Sequence, residues 1–195
     1  MGIIEKNISS PRKEKLLKFY DRHATRIATM PASSIESNHS AFAGGYVYHV
    51  LNVIKCGLIE YQAWKKCGAM LDDFTKEELV FSLLNHDLGK IGSLYEDIYL
   101  PSQDKWRIEN MGELYTFNTK LPFMSVPDRS LFLLQQAEIG VSQNEWIAIK
   151  THDHLFDQAN EAYIKPFTPE SRYRSVMSTI LQHADQLSAC IEFES

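Results

Sequence analysis

Apolar residues spaced three and four apart dominate the chain, a period that fits helices and not strands. Tyr46, Val50, Val53, Ile54 and Gly57 recur in this way and predict a long helix from the Gly44-Gly45 pair through about Lys66. Thr75 and Glu78 form a capping box ahead of Leu79, Val80, Phe81, Leu83 and Leu84, the signature of a helix start. This helix is expected to end near Gly89, since glycine commonly supplies the left-handed residue past a terminus. Ser142 and Glu145 make a second box before Trp146, Ile147 and Ile149. Ser10-Pro11 opens an amphipathic stretch over residues 10–28 bearing Leu16, Leu17, Phe19 and Tyr20, with proline in the first-turn position it favours. Asp128 reads as the N-cap of a helix over Arg129–Ala137, and Glu170–Ile191 carries Val176, Ile180, Leu187 and Ile191 in helical register. Met30–Ala43 reads as a loop. Lys90–Pro127 lacks a clear period and is expected to be an irregular excursion with one short helix or hairpin. Strand signals are thin throughout, so the expected fold class is all-α. No repeat or Pro/Gly/Ser-rich linker divides the chain, and its 195 residues are read as one domain, long enough for a single core.

Three cysteines, Cys56, Cys67 and Cys190, are an odd number with no CxxC pair, which argues for a reducing compartment and a cytoplasmic location. No apolar run reaches the ~18 residues of a membrane helix, and the first residues lack the apolar stretch of a secretory signal. The net charge of −5 disfavours extended nucleic acid, whose binding is driven by neutralising phosphates. It leaves room for one small anionic substrate. The densest basic spots, Lys65-Lys66 and Arg172 with Arg174, are too sparse for a nucleic-acid groove and read as solvated helix positions.

The histidines and aspartates fall at helix ends. His49 lies one turn into the first core helix, His86-Asp87 closes the second, His152-Asp153-His154 closes a later one, and His183 and Asp185 lie in the last. Neutral imidazole with carboxylate suits a first-row divalent ion, and converging helices can each contribute one ligand. Adjacent residues on a helix point about 100° apart, so a His-Asp pair can reach one ion lying off the helix end. Any one of these histidines, taken alone, is more simply a buried or surface residue with a satisfied hydrogen bond; the adjacent His86-Asp87 pair favours the metal reading.

The order His49, His86-Asp87, Asp185 resembles the H…HD…D pattern of the HD-domain metal-dependent phosphohydrolases. The surrounding words are similar as well. Residues 39–49, with Gly44-Gly45 ahead of His49, resemble the glycine-pair segment of small HD hydrolases and of the HD module of some 3′-to-5′ exoribonucleases. Asn85-His86-Asp87-Leu88-Gly89-Lys90 resembles the defining HD stretch, and His183-Ala184-Asp185-Gln186-Leu187-Ser188-Ala189 the segment with the last aspartate. The resemblance spans about residues 30–192. It implies an HD-domain helical bundle with an irregular insertion after the HD pair, with His49, His86, Asp87 and Asp185 holding a divalent ion (Mn, Co, Fe, Ni, Zn or Mg). Such an ion makes water nucleophilic near neutral pH and screens a phosphoryl oxygen.

Relatives with two ions usually add a histidine where this chain has Val126, and another matching His152. Valine cannot ligate, so one tightly held ion is expected, with a second, weaker one as the alternative. Lys90, Arg129 and His152 are then the expected contacts for substrate oxygens, with Asp87 counted among the catalytic residues. For Lys90 the competing reading is a solvated lysine at a helix end. For His152 the roles of phosphate contact, general acid and weak second-metal ligand stay open. His183 lies about 200° from Asp185 on a regular helix and is read as a core histidine; His23 and His39 are not expected to ligate, although His39 is placed to line a pocket mouth. The aromatics Tyr95, Tyr99, Trp106, Tyr115 and Phe117 read either as a base-stacking wall or as the contacts holding the insertion to the bundle.

The expected activity is hydrolysis of a phosphoester or phosphoanhydride in a nucleotide, as a nucleotidase or deoxynucleoside triphosphate hydrolase. The partner is a small nucleotide or phosphoester, with no membrane; an oligomer is compatible with the sequence. The alternatives are an exonuclease or cyclic-nucleotide phosphodiesterase, and a non-catalytic nucleotide-binding regulatory module.

Overall fold

The computed structural model describes residues 2–164 and 175–194. Its α-helices run in the order α1 (Gly2–Asn7), α2 (Arg12–Arg22), α3 (Ala24–Thr29), α4 (Gly45–Lys66), α5 (Lys76–Asn85), α6 (Lys105–Met111), α7 (Val126–Gln136), α8 (Gln143–Thr151), α9 (Glu161–Ile164) and α10 (Val176–Glu194). Strands β1 (Tyr99–Pro101) and β2 (Tyr115–Phe117) form one antiparallel pair, with Tyr99 opposite Phe117. The fold is mostly helical, as the periodicity requires. No helix among the described residues is long and apolar enough to cross a membrane.

The glycine pair starts α4 for two separate reasons. Gly44 takes φ +90°, a left-handed N-cap that a side chain disfavours. A Cβ on Gly45 would lie 1.9 Å from the carbonyl oxygen of Ser40. Further along α4, a Cβ on Gly57 would strike Leu83 of α5 at 2.5 Å, so the two helices approach closely there. Tyr46, Val50, Val53 and Ile54 are buried, as their spacing predicts.

Both capping boxes form as read: Thr75 with Glu78 at α5, and Ser142 with Glu145 at α8. The glutamates also work between elements. Glu145, fully buried, takes two bonds from Arg12 of α2 at 2.6 and 2.8 Å, while Glu78 accepts from Ser142 Oγ at 2.6 Å. Arg12 also reaches Glu77 at 2.6 Å and lies over the Phe81 ring. One guanidinium thereby ties α2 to α5 and α8.

Four sequence expectations need correction. The stretch 10–28 is two helices, α2 and α3, broken at His23. The second core helix stops at Asn85 and continues as a 3-10 turn over Leu88–Ile91. Gly89 is not its left-handed terminator; the positive φ, +90°, falls at Gly92, past the 3-10 turn and outside the left-handed helical region with ψ at −127°. Gly89 is needed because a Cβ there would meet Val126 O at 2.3 Å, where α7 packs on the turn. The N-cap of α7 is Ser125, whose Oγ accepts from Asp128 N, and Asp128 sits in the first turn paired with Lys150 at 2.8 Å. In α10 the buried residues include Met177, Ser178, Ile180, Leu181, Ala184, Ser188 and Glu192, whereas His183, Leu187 and Ile191 are exposed. His183 is thus not a core histidine; it faces Glu60 of α4 at 3.8 Å. The portion 170–174 of that expected helix, with Arg172 and Arg174, lies outside the described residues.

The excursion over 90–127 contains both elements expected as alternatives, the hairpin and the short helix α6 between its strands. Its aromatics do not act together. Tyr95, Trp106 and Phe117 are largely exposed, while Tyr99 packs against Phe117 with the rings tilted by 43° and their centroids 5.4 Å apart.

Candidate metal centre

Four elements distant in sequence deliver the polar cluster. His49 comes from α4, His86 caps the end of α5 with Asp87 next to it, His152 caps the end of α8 with Asp153 next to it, and Asp185 comes from α10. Helices α4 and α10 run antiparallel, since Glu60 faces His183 and His49 faces Glu192. Their pairing sets His49 Nε2 3.0 Å from Asp185 Oδ1 and 3.5 Å from Asp87 Oδ2. His86 Nε2 lies 3.5 Å from Asp87 Oδ2 and 3.8 Å from Asp185 Oδ1. On the other side of Asp87, His152 Nε2 is 3.6 Å from its Oδ1 and 3.5 Å from Asp153 Oδ1.

All three imidazoles present Nε2 to this centre because Nδ1 is occupied behind them. His86 Nδ1 meets the Leu83 carbonyl at 3.0 Å and His152 Nδ1 meets the Ile149 carbonyl at 2.8 Å. A carbonyl only accepts, so Nδ1 carries a proton in both rings, and in the neutral form the lone pair is on Nε2. His49 Nδ1 lies 3.2 and 3.3 Å from the two oxygens of Glu192, a buried carboxylate that also accepts from Ser40, Asn52 and Ser188. A ligating imidazole is ordinarily oriented in this way by a carbonyl or carboxylate.

Electrostatics separate the three rings. Burial pushes His86 down to about 4, which leaves it neutral and able to donate. Burial also disfavours the charged forms of His49 and His152, but carboxylates outweigh it. Asp185 and Glu192 hold His49 up at about 9, and Asp153 with Asp87 hold His152 up at about 10. Asp87 and Asp185 stay ionised despite burial, Asp87 chiefly because Lys90 lies beside it and Asp185 chiefly because of His49. Lys90 is not the solvated lysine of the competing reading: its Nζ lies 2.6 Å from Asp87 Oδ2 and only 12% of its side chain is exposed.

The residues fit a divalent ion. His86 Nε2 is buried without a hydrogen-bond partner, a costly state for a polar atom and one that coordination would relieve, while His49 Nε2 faces the Asp185 and Asp87 carboxylates. Their possible ligand atoms fall into overlapping groups, each with its atoms within 4.8 Å: His49, His86 and Asp185; His86, Asp87 and His152; His152, Asp153 and Asp185. Buried nitrogen and carboxylate oxygen together are a donor set for a first-row divalent metal.

The structure therefore brings together His49, His86, Asp87, Lys90, His152 and Asp185. Arg129 stands apart. Its guanidinium donates to the Pro122 carbonyl at 2.7 Å and pairs with no carboxylate among the described residues. His39 packs against His49, ring centroids 4.7 Å apart, and belongs to a further group with His49 and Glu192. Glu192 is the residue sequence reasoning missed. Its position two turns beyond Asp185, which puts both on one face of α10, was the available signal.

Comparison with known proteins finds no matching family model, no matching curated protein and no matching solved structure.

Proposed function

We propose that the protein is a metal-dependent phosphohydrolase of the HD type, acting on a nucleotide or similar small phosphoester. The observation that carries this reading is the geometry of three imidazoles whose Nε2 atoms converge with Asp87 and Asp185, that of His86 being buried without a hydrogen-bond partner. The motif resemblance over His49, His86-Asp87 and Asp185 supports it independently.

His49, His86, Asp87 and Asp185 would hold the ion. When bound, it supplies Lewis acidity to a phosphoryl oxygen and makes water acidic enough to attack near neutral pH. Lys90 keeps a positive charge beside Asp87 and is placed to neutralise a non-bridging oxygen of substrate. His152 is the one imidazole flanked by two aspartates, Asp87 and Asp153, and in its protonated form it can donate a proton to the leaving oxygen. The same aspartates make His152 a ligand for a second, weaker ion, a role in which Asp153 compensates for the valine at position 126. Tyr99, on the hairpin above Lys90, offers a ring face to a base.

The test is to purify the protein, determine its metal content, and screen nucleotides and short oligonucleotides for release of phosphate, pyrophosphate or triphosphate, with Asp87→Ala as the control. Bound metal with turnover of mononucleotides that D87A abolishes is the expected result. Stoichiometric metal without any hydrolysis favours the non-catalytic nucleotide-binding module, and preferential cleavage of oligonucleotides favours the exonuclease.

A further inference from the structure

Arg129, in the first turns of α7, is 4% exposed. Its Nη2 donates to the Pro122 carbonyl at 2.7 Å, but its Nε is buried with no acceptor. Among the described residues the two other buried or half-buried arginines, Arg12 and Arg26, each lie 2.6 Å from a carboxylate. The nearest acid in sequence, Asp128, is engaged with Lys150 and Ser125. A guanidinium cannot shed its proton in a protein, so Arg129 is a buried cation with no counter-charge among the described residues. Such a group is costly unless something pairs with it.

A cavity of about 350 Å³ opens beside it, between the start of α7 and the loop that follows β2. Ile98, Phe117, Leu121, Phe123 and Met124 give it apolar walls. Two of its polar members are already occupied: Asn118 Nδ2 donates to Glu96 and to the Asp97 carbonyl, its Oδ1 accepts from Lys120 N, and Ser125 caps α7, while Thr119 is exposed at the rim. Arg129 is the charged group of the lining with unused donor capacity. The volume is at the small end of ligand sites, which run from about 300 to 1,000 Å³ and combine an apolar lining with a few placed polar groups.

We propose that this cavity binds a small amphipathic anion: an aromatic ring or comparable apolar body against Phe117 and Phe123, with one carboxylate, sulfonate or phosphate group on the Arg129 guanidinium. A guanidinium offers such groups two parallel N–H donors. The site does not rest on the proposed hydrolase activity, because among the described residues no hydrogen bond or ion pair joins Arg129 to the metal-centre residues. It does adjoin that centre through the next residue: Ser130 Oγ donates to the His86 carbonyl at 2.8 Å and accepts from Gly89 N at 2.7 Å.

Isothermal titration of the full chain with benzenesulfonate, and with neutral benzenesulfonamide as its uncharged match, tests the proposal. Saturable one-to-one binding of the sulfonate is expected, with the sulfonamide weaker by about tenfold or more, the usual weight of a charged hydrogen bond. Arg129→Met is expected to lose binding to the same degree and Arg129→Lys to lose less. Asp87→Ala is expected to bind as the wild type does, whatever the outcome for hydrolysis. Because R129M also releases the Pro122 carbonyl, Phe123→Ala provides a variant at a 97% exposed side chain; it is expected to weaken binding without disturbing the fold. Absence of saturable binding, equal affinity for the neutral sulfonamide, or unchanged affinity in a folded R129M would overturn the proposal and leave Arg129 as a clasp for the Pro122 loop.

Discussion

A histidine that donates its Nε2 lone pair must first have its other ring nitrogen tied down, and the three rings of the cluster solve this differently. His86 and His152 use the carbonyl three residues back, a local solution that any helix-capping histidine can adopt. His49 sits inside a helix, where its own carbonyls are engaged, and relies on Glu192 from another helix. Glu192→Gln keeps the shape but removes the charge that orients and polarises the ring. It is expected to weaken metal binding by about 10- to 100-fold with an unchanged circular dichroism spectrum, measured by competition with a chromophoric chelator. Unchanged affinity would show that His49 needs no carboxylate behind it. The raised values of His49 and His152, about 9 and 10, carry a second consequence. Both rings are protonated in the metal-free protein at neutral pH, and a ligand must be neutral, so uptake of the ion releases protons. The sign follows: affinity climbs as pH rises toward 9 and falls as pH drops. In the metal-free chain, the stabilisation from these charged rings is complete below about 6.5, the ordinary histidine value, and is lost as pH rises through 9 to 10. Addition of Mn²⁺ or Zn²⁺ to weakly buffered protein at pH 7.5 should acidify the solution, read with an indicator dye; no acidification would mean that the rings are already neutral.

Helices α5 and α8 follow one plan: a capping box at the start, about ten residues, then a histidine cap and an aspartate that both face the cluster. The residues that make this plan are local in sequence, which explains why the boxes, the glycine pair and the His-Asp positions could all be read from the chain. What could not be read depends on contacts between elements. Gly89 looked like a helix terminator because its only visible cue was its place after an apolar run; the Val126 carbonyl that forbids a side chain there comes from α7. In α10 the hydrophobic spacing held for Val176 and Ile180 but failed further along, because the inward positions there include Ser188 and Glu192, which serve His49, and leave Leu187 and Ile191 outward. Periodicity fails where a helix spends its buried face on polar support for a site. Two substitutions test the element-level account. Gly89→Ala drives a methyl into the α7 backbone and is expected to cost at least the ~1–3 kcal/mol of ordinary overpacking, with a loss of metal affinity since the HD turn must shift; denaturant unfolding and metal titration report both. Arg12→Ala strips Glu145 of its only cation among the described residues and is expected to cost about 3–5 kcal/mol. Burial already raises the Glu145 carboxyl, and losing Arg12 raises it further. The deficit relative to wild type should therefore narrow as the pH is lowered and Glu145 takes a proton, whereas a deficit constant between pH 7 and 4.5 would place the effect in packing alone.

At the scale of the whole molecule, the candidate ion is a cross-link. Its ligands come from α4, the turn after α5, the end of α8 and α10, elements that are otherwise joined by apolar packing around Val53, Leu83, Ile149 and Ile180. Unfolding scatters these ligands along the chain, so the ion binds the folded state almost exclusively and its binding energy becomes folding energy. At a free concentration one hundred times Kd the gain is about 2.7 kcal/mol, and for a chain of this length each kcal/mol moves Tm by about 2–4 °C. Chelation is accordingly expected to lower Tm by roughly 5–10 °C, with recovery on adding back the preferred metal. The metal-free centre also holds Asp87, Asp153 and Asp185 together around three histidines, and two of those histidines stay protonated to offset the carboxylates. Raising the pH above 9 removes that compensation, so the gap in Tm between metal-loaded and chelated protein should widen between pH 7 and 9.5. In Asp87→Ala the gap should close at every pH, because the variant lacks the carboxylate shared by both halves of the cluster. A chelator-insensitive Tm in the wild type, or a D87A that retains the shift, would show that this constellation holds no ion and that its buried imidazoles are structural.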